Sequence, residues 1–261
     1  HPKVDSLTLT SRKHKGLPVS SLYPEFQGII DLEYREPSLE ILVDCDVVFF
    51  CTPHGVAQSM APALLELGVK VIDLSADFRI RDILIWEKWY GMTHSAPDWV
   101  SRAVYGLPEL NREKIASAEL VACPGCYPTS IELGLLPLLK NDCLELSGII
   151  ANVASGVSGA GRTLSKDKLF AEVNDGFRAY SVEGHRHQPE IEQVLSDMAG
   201  DEVSITFVPH LLPINRGIHS TLSGNLKNSR RGIQMLFEEF YRYEPFVQVL
   251  PAGSHPSTRN V

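Results

Sequence analysis

The spacing of apolar positions follows one rhythm as far as Leu146 and another from Ser147 onward. In the first part, short apolar runs alternate with stretches of helical period. Ser6–Thr10 alternates polar and apolar residues, and Asp46–Cys51, Lys70–Leu74 and Leu120–Cys123 are compact runs rich in Val, Leu, Ile and Phe. Runs of this length and composition predict strands. Val47-Val48-Phe49-Phe50 has no polar interruption, which predicts a parallel strand buried on both faces. Val56–Leu67 carries apolar residues at helical spacing and meets Gly68, a residue suited to ending a helix. Ser130–Lys140 repeats the pattern with Ile131, Leu133, Leu135, Leu136, Leu138 and Leu139. Strands alternating with helices predict an α/β fold built on a doubly wound parallel sheet.

Beyond Ser147 the alternation has period two. Gly148–Ala154, Val203–Pro209 and His219–Leu226 predict strands, and Pro189–Met198 and Ser229–Tyr243 predict helices. Long connections between alternating strands suggest an α+β unit with a largely antiparallel sheet. Two domains are therefore expected, residues 1–125 and 126–261. No strand with a Gly-rich turn precedes Ser6–Thr10, and Thr258-Arg259-Asn260-Val261 adds no closing element, so the sequence reads as part of a longer chain.

Composition narrows the class. The 261 residues are 44% hydrophobic and 21% charged, enough apolar material for a sizeable core. No run reaches the roughly 18 apolar residues of a membrane span, and no signal-peptide pattern opens the chain. Five scattered cysteines argue for a reducing, cytoplasmic setting over a disulfide scaffold. A net charge of −8 argues against general nucleic-acid binding, so an anionic substrate needs local cations or helix ends.

The most reactive-looking segment is Cys123-Pro124-Gly125-Cys126-Tyr127-Pro128-Thr129, at a strand-to-helix turn. A cysteine at a helix N-terminus meets unpaired N–H groups and the positive end of the dipole, which favour thiolate; Cys126 is the candidate nucleophile. A buried small hydrophobe, a redox dithiol, or half a zinc site with Cys123 are the alternatives. His185-Arg186-His187 supplies two imidazoles just ahead of a helix, for acid–base work or substrate contact; with C-x-x-C it could also complete a zinc set. Ser155-Gly156-Val157-Ser158-Gly159-Ala160-Gly161-Arg162 follows a strand and reads either as a plain tight loop or as close backbone approach and donors to a phosphate. Arg79, Arg178 and Arg216 are further cations, each readable as surface charge, though apolar residues surround Arg216-Gly217. Thr10-Ser11-Arg12-Lys13 ends a strand-like run with hydroxyls and cations and no acid, a pattern that suits the 2′-phosphate of NADP.

Taken in order, Thr10-Ser11-Arg12, Pro53-His54-Gly55, Asp73-Leu74-Ser75-Ala76-Asp77-Phe78-Arg79, Tyr105-Gly106-Leu107-Pro108-Glu109-Leu110 and Pro124-Gly125-Cys126-Tyr127-Pro128-Thr129 form a distinctive series. It continues with Ser155–Arg162, Gly184-His185-Arg186-His187-Gln188-Pro189-Glu190-Ile191 and Pro209-His210-Leu211. The chain resembles the N-acetyl-gamma-glutamyl-phosphate reductase family over essentially its whole length. That resemblance implies a Rossmann-type NADP domain joined to a catalytic domain of the glyceraldehyde-phosphate and aspartate-semialdehyde dehydrogenase kind. It implies reduction of a small acyl phosphate by NADPH through a cysteine thioester, in arginine biosynthesis, by a homo-oligomer (dimer or tetramer) and without a metal. Cys126, His185 and His187 would then be catalytic. Thr10, Ser11, Arg12, Pro53, His54, Ser155 and Gly156 would hold NADP. Arg79, Ser158, Gly159, Arg162 and Arg216 would hold substrate, with Cys123 a buried strand-end residue. An aspartate-semialdehyde dehydrogenase, or a reductase of a longer or carrier-linked analogue, would share this chemistry.

Overall fold

The computed structural model describes residues 2–161, 163–227 and 232–260. Four strands, β1 (Val47–Phe50), β2 (Lys70–Asp73), β3 (Val104–Tyr105) and β4 (Leu120–Ala122), form an all-parallel sheet in the order β1-β2-β4-β3. Parallel neighbours need crossovers. These are supplied by α2 (Val56–Glu66) and α3 (Ile83–Tyr90), together with α4 (Pro97–Val100) and α5 (Pro108–Ser117); a short α1 (Leu39–Leu42) precedes β1. The core of this unit joins Val48 and Phe50 of β1, Val71 of β2 and Leu120 of β4 to Ala57, Ala61 and Leu64 of α2. As expected, α2 stops before Gly68, whose φ of 84° is the left-handed conformation that glycine adopts without strain.

Two expectations are corrected here. Ser6–Thr10 is not a strand: Thr10 alone bridges Arg35, because the rest of the run finds no ladder partner. β1 is buried on one face only. It is an edge strand, with Val48 and Phe50 inward and Val47 and Phe49 38% and 58% exposed. An apolar run thus reports local composition and not which faces a neighbour covers.

The second sheet contains β5 (Ile149–Gly156), β6 (Arg178–Ala179), β7 (Ile205–Leu212) and β8 (Ile218–Ser223) in the order β6-β7-β5-β8. Two of its pairings are antiparallel, β5 with β8 and β6 with β7. The longest, β5 with β7 from Ile149↔Ile205 to Gly156↔Leu212, is parallel, so the sheet is mixed. The chain leaving β5 passes through α7 (Phe170–Val173) and α8 (Gln188–Ala199) before β7, which permits the parallel return. The helix α6 (Cys126–Lys140) and α8 cover one face, packing Ile131, Leu135, Ile191 and Leu195 on Ile149, Ala151, Val153 and Phe207. The helix expected at Ser229–Tyr243 is found as α9 (Ile233–Phe240); Ser229 lies outside the described residues.

Candidate active site

β4 ends at Ala122, and the Cys123 N–H donates to the Asp73 carbonyl across the sheet at 2.8 Å. After Pro124, Gly125 caps α6, so Cys126 is the first residue of that helix. The Thr129 N–H and hydroxyl both donate to the Gly125 carbonyl, at 3.0 and 2.9 Å, and close the first turn. Tyr127 and Pro128 are buried while Cys126 is open to solvent. Gly125 is held from both sides. Its N–H donates to Glu190 Oε1 at 2.7 Å, and a Cβ built on its Cα would lie 2.6 Å from Nε2 of His187. We expect Gly125→Ala to destabilise the fold by about 1–3 kcal/mol, because the imidazole must move. Urea unfolding checks this, and the variant's Cys126 alkylation rate reports the displaced loop.

Opposing influences act on the Cys126 thiol. Burial pushes the Cys126 thiol up, against the pull of the Cys126 and Tyr127 N–H groups and the Arg79 charge. A helix terminus is worth only about 0.3–1 kcal/mol, and partial desolvation by the surrounding protein acts against it. Cys123 is half-buried and its thiol is also raised by burial. The zinc alternative fails on geometry: among the described residues no three of His, Cys, Asp and Glu converge as ligands.

His185 and His187 come together next to the start of α6. Their rings lie 4.9 Å apart, and 5.4 and 5.8 Å from the ring of Tyr127, which follows Cys126. Burial and then Arg186 push His185 down to about 4, and burial and then His185 push His187 down to about 2. A protonated His185, the form a simple acid catalyst needs, is therefore not the resting state. His185 Nδ1 accepts from the His187 N–H at 3.1 Å, which places the proton of the neutral ring on Nε2. His187 Nδ1 is buried without a partner.

Behind the loop lies a buried polar cluster whose function the sequence did not reveal. Glu190 and Glu132 are both 0% exposed. The Tyr105 hydroxyl is 2.9 Å from Oε1 of each. Arg79 Nη1 reaches Glu190 Oε2 at 3.4 Å, and Nη2 donates to the Leu74 carbonyl at 2.8 Å. Arg79 thus directs Nη1 and Nη2 to protein groups, while its buried Nε has no partner. The only signals were a Glu amid the apolar positions of α6 and a Tyr and Glu within the quoted motifs.

Other expected residues divide into groups. His54 accepts from the Ala76 N–H at 3.2 Å and sits edge-on to Tyr90 at 4.8 Å, over which Arg186 also lies, so the β1 end and the His185–His187 loop meet. The loop after β5 is sewn to residues 214–217: Val157 and Ser158 N–H groups donate to Ile214 and Asn215 carbonyls at 2.9 and 3.1 Å. There Gly156 is required by protein packing, since its Cβ would meet Arg216 N at 2.9 Å, and Gly159 would meet Ser155 Oγ at 2.7 Å. Arg216 is exposed, and Arg162 lies outside the described residues. Thr10, Ser11 and Arg12 belong to the separate turn bridged to Arg35; Ser11 Oγ accepts from the His14 N–H at 3.2 Å. A cavity of about 390 Å³ between the two units is lined by Arg79, Tyr105, Lys114 and Lys140 and does not include Cys126.

Residues 1–118 match the family described as semialdehyde dehydrogenase, NAD binding domain, and residues 126–261 the one described as semialdehyde dehydrogenase, dimerisation domain. The fold agrees. Aspartate semialdehyde dehydrogenase II from Vibrio cholerae superposes with a TM-score of 0.69 at 15% identity, covering 98% of this chain and 75% of that one. A parallel nucleotide-binding sheet, a cysteine at a helix mouth and a mixed second sheet define an oxidoreductase of the semialdehyde dehydrogenase class. Within it, the N-acetyl-gamma-glutamyl-phosphate reductases of Saccharophagus degradans and Cellvibrio japonicus are 58% and 56% identical over all of this chain and 76% of their own length. The chain belongs to the N-acetyl-gamma-glutamyl-phosphate reductase family.

Proposed function

We propose that this chain reduces N-acetyl-glutamyl 5-phosphate to N-acetyl-glutamate 5-semialdehyde and phosphate, with NADPH, through a thioester on Cys126, as a step of arginine biosynthesis in the cytoplasm. The names and 53–58% identities of its relatives support the substrate. The observation that carries the mechanism is a solvent-open thiol at the first position of α6 with two neutral imidazoles packed around Tyr127.

Residues at the carboxyl ends of the strands fit a dinucleotide. Thr52 Oγ1, just past β1, is buried without a partner at the edge where ligands of doubly wound sheets lie. Pro53 and His54 continue that edge, and we assign Ser155 and Gly156 to the nicotinamide side. Thr10, Ser11 and Arg12, lacking an acid, favour NADP over NAD. When bound, NADPH supplies the hydride that reduces the acyl group.

The chain's own residues handle sulfur, oxygen and protons. The Cys126 sulfur bonds to the acyl carbon as its S–H proton passes to water, and the C–O bond to phosphate breaks with its electron pair leaving on the phosphate. Because the thiol is raised, the reactive fraction grows as pH rises through the neutral and alkaline range. N–H groups at the start of α6 stabilise the oxyanion, and His185, with its proton on Nε2, is assigned as a further donor. Ser158, Gly159, Arg162 and Arg216 are assigned to the substrate's anionic groups. The uncovered face of the second sheet, where Ile150 is exposed and Phe177 stacks on His210 at 5.0 Å, is assigned to homo-oligomer contact, in keeping with the dimerisation domain that it matches.

The test uses the full-length protein. N-acetyl-glutamyl phosphate with NADPH is expected to be reduced faster than aspartyl phosphate, and faster than with NADH. Incubation without NADPH is expected to leave an acyl group on Cys126, read by mass spectrometry. Preference for aspartyl phosphate, or acylation elsewhere, overturns the reading.

A further inference from the structure

We propose that Glu132 stands in the folded protein as a neutral carboxylic acid donating to Tyr105, and that its proton keeps in register the buried groups that position the Cys126 loop. The inference deepens the proposed function, since the loop it positions is the one assigned to acyl transfer. It starts from a count of hydrogens. The Tyr105 oxygen lies 2.9 Å from Oε1 of Glu132 and 2.9 Å from Oε1 of Glu190, yet a phenol carries one proton. With both carboxyls ionised, one of those contacts would set lone pairs against each other with no hydrogen between them. A second proton is therefore required.

Its location follows from the partners. Glu190 Oε1 accepts the Gly125 N–H at 2.7 Å, and its Oε2 is 3.4 Å from Arg79 Nη1, so its charge is compensated. Glu132 is equally buried, has no cation bonded to it, and its Oε2 has no partner. An ionised carboxylate there would be a buried, uncompensated charge, whereas the carbonyl oxygen of an acid tolerates such a place far better. The groups acting on Glu132 come from three elements: Tyr105 of β3, Glu190 of α8 and Arg79 beyond β2. Burial and Glu190 raise it well above the usual carboxylate range, and Tyr105 is likewise held in its protonated form. The series then runs Glu132 O–H to Tyr105, Tyr105 O–H to Glu190, and Gly125 N–H to Glu190, one residue from Cys126. Loss of the Glu132 proton leaves two carboxylates competing for one phenol hydrogen, which loosens Glu190's hold on the loop. Glu132 touches no reacting atom; it is a positioning residue.

The test compares wild type, Glu132→Gln and Glu132→Ala in the full-length protein. Infrared spectroscopy at neutral pH is expected to show a protonated-carboxyl carbonyl band that Glu132→Gln lacks; this readout is independent of which substrate is turned over. Glu132→Ala is expected to lower kcat about tenfold with KM moved less than about twofold. Glu132→Gln, which keeps a neutral donor of the same shape, is expected to restore kcat to within about threefold. The ratio of wild-type to Glu132→Gln rate cancels the ionisation of Cys126 and is expected to fall as pH rises. No protonated band, a glutamine variant as slow as the alanine one, or a ratio flat with pH would overturn the proposal. Failure to reduce the acyl phosphate, with the band present, would instead count against the proposed reaction.

Discussion

Cys126→Ser is expected to lower reduction of the acyl phosphate by at least about 10³-fold, the scale on which removal of a nucleophile acts. In the proposed route the exposed sulfur at the first position of α6 holds the acyl chain while hydride arrives. A hydroxyl there has the same N–H neighbours but is far too weakly acidic to be ionised by them, and a helix terminus adds only about 0.3–1 kcal/mol of help. Stability should move by less than about 0.5 kcal/mol, because Cys126 is exposed and serine differs from it by one atom. Steady-state kinetics paired with thermal unfolding separates the two effects. A serine enzyme that retained a tenth of the wild-type rate would exclude the thioester route.

The second large effect concerns stability. Arg79→Met is expected to destabilise the folded protein by about 3–5 kcal/mol, the scale of breaking a buried ion pair by removing one partner. Glu190 is 0% exposed and Arg79 7% exposed, so the carboxylate left behind is poorly hydrated. The effect should depend on pH, with a definite sign. Burial already raises the Glu190 carboxyl and Arg79 opposes that rise, so without Arg79 it rises further. A carboxyl whose folded pKa is raised contributes stability that is complete below its unfolded value and is lost as pH climbs through the folded one. The variant should therefore approach wild type in acid, where Glu190 is protonated, and fall furthest behind at alkaline pH. Urea unfolding at acid and alkaline pH measures this; a pH-independent difference would mean that Arg79 acts through packing alone.

Much of the framework was readable from residue order because burial imposes periodicity. β2, β4, α2 and α8 lie within a residue or two of their expected limits, and Ile131, Leu135 and Leu139 of α6 enter the second core as their spacing implied. The helices α3 and α5 went unseen for different reasons. α5 buries no residue and so carries no apolar stripe, and α3 is eight residues long with a single fully enclosed side chain, Trp86. The Ser6–Thr10 alternation misled because period two describes a side-chain pattern and not the existence of a neighbouring strand. The direction of β5 relative to β7 was likewise invisible, since alternation marks faces and says nothing of polarity.

The same division runs through the candidate site. Placement of Cys126 at a helix mouth, and of two imidazoles ahead of a second helix, is local and follows from residues within a few positions of each other. The protonation of those groups is not local. Cys126, His185 and His187 are each shifted chiefly by burial, which depends on how β4, α6 and α8 pack together. Glu132 and Glu190 stand 58 positions apart in the chain and share one phenol only in the folded protein. Short-range chemistry therefore names the reactive atoms, while desolvation and long-range hydrogen bonds, which exist only after folding, decide which of them carry protons.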